Sequence, residues 1–226
     1  MEIYFINIEE FLKNVEHTSL EAFMEGKSFG SQKRKTEFCL GRFLIKYVLK
    51  NKYYLSNLDI LLNNKKPYVT DSPVKFSLTH SKNYVMAVFD KSETGIDLEL
   101  MKERNFIKLF DYYKLTPPNK DKATFYQLWT QYEAKIKLQK EPKTMQSFVF
   151  KKDYSLSVCS DELFDISKML KIYELKSPTH NMNPNELINL KLVIESNKNE
   201  KALVAQEINT ADLELLSALP LNLKIE

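Results

Sequence analysis

The chain has 226 residues, 43% apolar and 28% charged, with eight prolines and four glycines, which fits one or two folded domains and excludes a disordered or fibrous chain. Its net charge of +3 is too small to argue for a nucleic-acid partner. Two cysteines and three histidines exclude a disulfide framework and a His-rich metal centre, and four glycines cannot build a phosphate-cradling loop or a dinucleotide fingerprint.

Any metal must therefore be held mainly by oxygen, and any phosphate by side-chain cations. No stretch approaches the roughly 18 consecutive apolar residues of a membrane span, and the first ten residues carry acids where a signal peptide needs a basic region. A cytoplasmic protein with no membrane association is expected.

Residues 2–8 alternate as a strand, and Thr18 to Glu21 offers a capping box for a short helix that Gly26 would end. From residue 31 to 50, Phe38, Gly41, Ile45 and Val48 share one helical face, while Lys35, Arg42 and Lys46 recur on another. Seven cations lie between Lys33 and Lys52 against the single acid Glu37. By charge spacing alone such a stripe reads first as a plain solvated surface, and a binding face is the other reading. Asn63 to Tyr68 reads as a turn with Lys66 extended before Pro67. Three strand-like runs, 74–80, 84–90 and 94–100, have the short connections of an antiparallel meander.

Residues 104–115 suit a short helix closed by Pro117 and Pro118. A stronger helix is expected from about Asp121, as N-cap, to about Gln139. On it Phe125, Leu128, Trp129, Tyr132 and Ile136 form the apolar face, with Tyr126, Thr130, Glu133 and Lys137 in the adjacent row. Residues 146–150 and 154–159 read as a hairpin. Beyond Asp161 the runs 168–176, 186–196 and 201–208 alternate like strands, and Thr210 could cap a last helix through Leu216. The order of elements is compatible with two α+β halves meeting near Asp97 to Lys102.

Asp97 and Glu99 are two apart on a strand whose other face carries Ile96, Leu98 and Leu100, so both carboxylates project from one side. Like charges so close suit a hard divalent ion between them, although a solvated strand face gives the same pattern. Glu133 is a third carboxylate at the border of the core, with Lys137 one turn along, a spacing that by itself is common helix-surface support. His80 ends a strand beside Phe76 and Leu78 and, taken alone, reads as structural.

Taken together, the segments KTEFCLGRFLIK (35–46), Lys66-Pro67-Tyr68, SLTHS (77–81), GIDLE (95–99) and WTQYEAKIK (129–137) resemble the 4'-phosphopantetheinyl transferases. The likeness is to the double-length, monomeric kind that activates carrier domains of fatty acid, polyketide and nonribosomal peptide synthesis. It spans roughly residues 28–160. It implies an α+β fold of two similar halves related by a pseudo-two-fold, each a small, mainly antiparallel sheet packed with helices. The halves would be 1–100 and 101–226, the latter with an extension over 163–226, and coenzyme A would lie in the cleft between them.

The same resemblance implies that Asp97, Glu99 and Glu133 hold Mg²⁺ on the pyrophosphate, which Lys137 also contacts. Lys66, His80, Arg42 and either Lys35 or Lys46 would grip the 3'-phosphate and neighbouring oxygens. The acceptor would be a serine of an acyl or peptidyl carrier protein, acidic and transiently bound, deprotonated by Glu133 or by a metal-bound water. Asp97, Glu133 and Lys137 are thus the expected catalytic groups. One departure is Tyr132, where the family signature W-x-x-K-E-A-x-x-K has its first lysine. A homologue that binds coenzyme A or a carrier without efficient turnover is the alternative it raises. A nucleic-acid binder using the basic helix would leave the carboxylates unexplained.

Overall fold

The computed structural model describes residues 1–15, 17–178, 186, 188, 194–196 and 205–206. Strand β1 (Glu2–Asn7) is apolar on both faces because both are covered. Tyr4 and Ile6 pack with the long helix α3 (Gln32–Asn51), whereas Ile3 and Phe5 pack against a second sheet. Strand β5 (Tyr84–Asp90) repeats the division, with Val85, Ala87 and Phe89 on the helix side and Met86 and Val88 on the other. Each such fully buried large side chain contributes about 1.5–3 kcal/mol.

The first sheet also contains β4 (Lys75–Ser81), antiparallel to β5, and β9 (Lys171–Leu175), parallel to β1. With β10 (Ile194–Ser196) at its edge, the strand order is β10-β9-β1-β5-β4. The second sheet has the order β11-β7-β8-β6, from β6 (Thr94–Leu100), β7 (Thr144–Phe150), β8 (Tyr154–Ser160) and β11 (Ala205–Gln206). Helix α5 (Lys122–Leu138) covers its far face, where Ala134 and Leu138 meet Cys159. The layers thus run helix, sheet, sheet, helix. This is an α+β fold with mostly antiparallel sheets.

Several expectations need correction. The three central strands do not form one meander: β6 leaves β5 and pairs antiparallel with β8 in the other sheet. Its crossing is fixed by the buried Thr94 hydroxyl, which donates to the Cys159 carbonyl at 2.9 Å. The turn at 63–68 is a full hairpin, β2 (Leu61–Asn63) and β3 (Lys66–Tyr68), with Asn64 and Lys65 both at positive φ, the twist that a two-residue hairpin loop requires.

After α1 (Ile8–Phe11), helix α2 (His17–Leu20) starts before Thr18 and continues as a 3₁₀ turn, Glu21–Phe23, so the capping box does not form the expected start. Helix α4 (Phe106–Tyr112) is shorter than expected, stopping where Lys114 adopts φ 55°. Ile136 is 40% exposed and not part of the core.

The C-terminal extension contributes to both sheets. A short helix α6 (Ile166–Met169) precedes β9, β10 continues the first sheet, and β11 pairs with β7 in the second. The helix expected from Thr210 lies outside the described residues, as do parts of the runs 186–196 and 201–208. Among the described residues no helix is long and apolar enough to cross a membrane.

Candidate functional site

Helix α5 is placed by its ends and by a polar layer beneath it. The Asp121 side chain accepts the Thr124 N–H at 2.8 Å, the N-cap expected from the sequence, and Gln139 closes the helix in the left-handed region at φ 63°. Beneath the helix, Thr130 Oγ1 lies 2.8 Å from Ser157 Oγ and 3.1 Å from Ser155 Oγ, and Gln131 Nε2 donates to Ser147 Oγ at 3.0 Å. All five side chains are buried. Gln131 Oε1 is left without a hydrogen-bond partner, but the hydroxyl contacts and the Gln131 Nε2 donor together fix one register of helix on sheet.

The approach is closest at Gly95, where an added Cβ would stand 2.0 Å from the Ala134 carbonyl oxygen. Any side chain there would lift the helix off the strand. This contact is why the glycine of GIDLE precedes the acidic pair. It brings Glu133 and Lys137, on either side of Ala134, over β6.

Asp97 is 5% exposed. Its Oδ1 accepts from Lys137 Nζ at 2.6 Å and from the Thr79 hydroxyl at 3.1 Å, while Oδ2 is buried with no hydrogen-bond partner. Glu99 Oε2 accepts from the Ser81 hydroxyl at 3.3 Å. Burial, first, and then the charge of Asp97 push the Glu99 carboxyl up to about 7, with Glu133 adding and Ser81 and Lys137 opposing. Burial and Asp97 likewise raise Glu133, against Lys137. The three acids therefore act on one another electrostatically.

Among the described residues no three His, Cys, Asp or Glu side chains are gathered into a ready ligand cluster. The donors nonetheless fit a divalent cation. A buried anionic oxygen left unpaired costs at least about 1–3 kcal/mol, and neighbouring carboxylates that raise each other's proton affinity are relieved by positive charge among them. All three are hard oxygen ligands of the type Mg²⁺ takes.

The remaining expected cations fall into separate groups. His80 is half exposed beside this site, with Nδ1 3.6 Å from Glu37 Oε2. Desolvation holds its imidazole below the usual range, Lys137 adding to the effect and Glu37 and Asp97 opposing it. Lys35, Arg42 and Lys46 line α3 but face acids of the preceding turn. Lys35 Nζ is 2.6 Å from Glu21, Lys46 Nζ is 3.1 Å from Glu25, and Arg42 Nε is 3.1 Å from Glu25 without an aligned hydrogen bond. Arg42 and Lys46 border a cavity of about 460 Å³ that reaches Leu61 and Leu62. The cations of this stripe are thus paired with acids, Arg42 buried and Lys35 and Lys46 half-buried, rather than freely solvated.

Lys66 is held elsewhere again. Its ammonium lies 2.7 Å from Glu93 Oε2 and 3.4 Å from both the Thr94 and Leu138 carbonyls, tying the β2–β3 hairpin to the end of α5. Gln139 Nε2 reinforces this by donating to the Asn64 carbonyl at 2.9 Å. Sequence reasoning missed Glu21, Glu25, Glu37 and Glu93 because their pairing is long-range. It also missed Thr79 and Ser81, although their two-residue spacing repeats that of Asp97 and Glu99.

Tyr132 packs into an aromatic cluster. It is 5% exposed, its ring 6.0 Å from that of Trp129, in a cluster with Phe106, Phe110 and Phe125. At the position of the signature lysine this chain thus has a core aromatic residue.

No family model matches the chain. Similar curated proteins are the 4'-phosphopantetheinyl transferase ffp of Bacillus subtilis, 30% identical over 156 residues, and 4'-phosphopantetheinyl transferase Sfp of Bacillus subtilis strain 168, 28% identical over 155. Each match covers 61% of this chain and 69% of the relative. The 4'-phosphopantetheinyl transferase psf-1 of Bacillus pumilus is 32% identical over 111 residues, covering 44% of this chain and 48% of its own.

Proposed function

Because the chain belongs to the 4'-phosphopantetheinyl transferases, we propose that it moves the 4'-phosphopantetheine arm of coenzyme A onto a serine of an acyl or peptidyl carrier protein, releasing 3',5'-ADP. The observation that supports this most is Asp97, with Lys137 on one oxygen and the other buried and unpaired. Together with Glu99 and Glu133 it offers the anionic face to which a metal–pyrophosphate would bind.

In this reading Asp97, Glu99 and Glu133 hold Mg²⁺. When bound, the ion neutralises charge growing on the leaving pyrophosphate oxygen. Lys137 serves the same phosphates as a point charge. The carrier serine oxygen bonds to the β-phosphorus as the bond from that phosphorus to the α,β-bridging oxygen breaks, and Glu133 accepts the serine proton. Its raised proton affinity suits a group that must take a proton near neutral pH.

His80, Arg42, Lys46, Lys35 and Lys66 bind the 3'-phosphate and adjacent oxygens, which take over the places of Glu25, Glu21 and Glu93. Coenzyme A lies in a cleft between the halves 1–100 and 101–226. An acidic carrier docks transiently through complementary charge, and the enzyme works as a cytoplasmic monomer.

The test is intact-mass spectrometry of apo carrier proteins incubated with the protein, coenzyme A and Mg²⁺, with an EDTA control. A gain of one phosphopantetheine, lost in EDTA, is expected. No gain across several carriers, with coenzyme A binding still detected by calorimetry, would overturn the reading.

A further inference from the structure

Among the described residues, strands β4 and β6 are the terminal strands of their respective sheets, and each presents an edge without a backbone ladder. Across this seam β4 supplies hydroxyls. Thr79 Oγ1 accepts the Leu98 N–H at 3.2 Å and donates to Asp97 Oδ1 at 3.1 Å; two residues on, Ser81 Oγ accepts the Leu100 N–H at 3.0 Å and donates to Glu99 Oε2 at 3.3 Å. Both hydroxyls are buried, at 3% and 8% exposure.

The backbone donor fixes the polarity of each link. An amide N–H can only donate, so the hydroxyl oxygen receives it and the hydroxyl proton is left for the carboxylate. The chain N–H to O–H to carboxylate therefore has one direction, and it aims each acid from a rigid strand. At Asp97 the outcome is specific: Thr79 and Lys137 both take Oδ1, which leaves Oδ2 buried and open.

We infer that Thr79 and Ser81 are positioning residues of the transferase, a pair of hydroxyls that orient Asp97 and Glu99 for the divalent ion. This rests on the metal-binding role proposed above. Hydrogen bonds to ligating carboxylates commonly influence metal affinity by about 10–100-fold. A hydroxyl that only closed the edge of β6 would influence stability and leave the affinity of the folded protein for metal unchanged.

The test uses the full chain with saturating coenzyme A and Mn²⁺, counting free ion by electron paramagnetic resonance. Thr79→Val, nearly isosteric, should weaken Mn²⁺ binding by about tenfold or more, and Thr79→Ser should restore it to within about twofold of the parent, where the same two hydrogen bonds are remade. Ser81→Ala should act in the same direction and decides the matter if Thr79→Val does not fold. Coenzyme A affinity without metal should stay unchanged in all three. Parental Mn²⁺ affinity in folded Thr79→Val or Ser81→Ala would overturn the inference. Failure of the parent protein to bind Mn²⁺ would instead overturn the metal site on which it rests.

Discussion

Lys137 Nζ lies 2.6 Å from one oxygen of Asp97, and the other oxygen of that carboxylate is buried without a hydrogen bond. The lysine thus covers half of an anion that also feels Glu99 and Glu133. Removing it leaves three acids with less positive charge among them. Lys137→Ala should cost the metal-free protein about 1–3 kcal/mol, the usual cost of leaving a buried polar group unpaired. A thermal melt checks this: the variant should melt several degrees lower, and Mg²⁺ should raise its midpoint more than that of the parent.

Glu133 directly precedes Ala134, the residue at which α5 comes closest to β6. In its proposed role as proton acceptor it should be replaceable in shape but not in function. Glu133→Gln should keep the circular dichroism spectrum and lower kcat by about 10²–10⁴-fold, the range for a positioned general base. Steady-state transfer to an apo carrier measures this, and a kcat unchanged within error would remove Glu133 from the reaction.

The acids also set a pH dependence. The folded-state carboxyl of Glu99 is raised from 4.5 to about 7, so between those values the unfolded chain ionises first. The folded state then binds more protons, and stability falls as pH rises through that window before levelling. Metal binding expels the proton, so divalent-ion affinity should rise over the same range. Melting points of metal-free protein from pH 4.5 to 8 should show the decline, and Glu99→Gln should flatten it.

Much of this site was legible in the chain because its signals are local. The period-two alternation around Asp97 and Glu99 put them on one face, and the caps at Asp121 and Gln139 bounded α5 closely. Strand partners were less legible. Short connections suggested that β6 would follow β5 in one sheet, yet tertiary packing took it to β8, since pairing depends on distant residues that a local pattern does not contain. The pairing of the cationic stripe was hidden for a related reason: Glu21 and Glu25 reach Lys35, Arg42 and Lys46 from a preceding segment, a contact that charge spacing along the helix does not contain.

Tyr132 is where the chain leaves the family signature, and its surroundings decide what reversion would do. A lysine there would place its ammonium beside Trp129, Phe106 and Phe110, where burial of an unpaired charge costs several kcal/mol unless the side chain escapes to water. Tyr132→Lys should therefore lower the melting point and bring no rise in kcat. A faster enzyme of parental stability would contradict the core role assigned to Tyr132.

Gly95 and Gly41 offer a matched pair for testing how strictly the site depends on helix placement. At Gly95 an added methyl meets backbone atoms, the Ala134 oxygen at 2.0 Å and the Leu138 nitrogen at 2.9 Å, which cannot turn aside. At Gly41 it meets Leu78 Cδ2 at 2.7 Å, the end of a side chain that can rotate. Gly95→Ala must push α5 away from β6 and carry Glu133 and Lys137 with it. Overpacking of this kind costs about 1–3 kcal/mol, and a displacement of about 1 Å at a reacting centre can cost about 10²-fold in rate. Gly95→Ala should thus lose far more kcat than its melting point alone would suggest, while Gly41→Ala should lose little of either. Equal effects of the two substitutions on kcat would show that the close approach at Gly95 does not set the position of the catalytic groups.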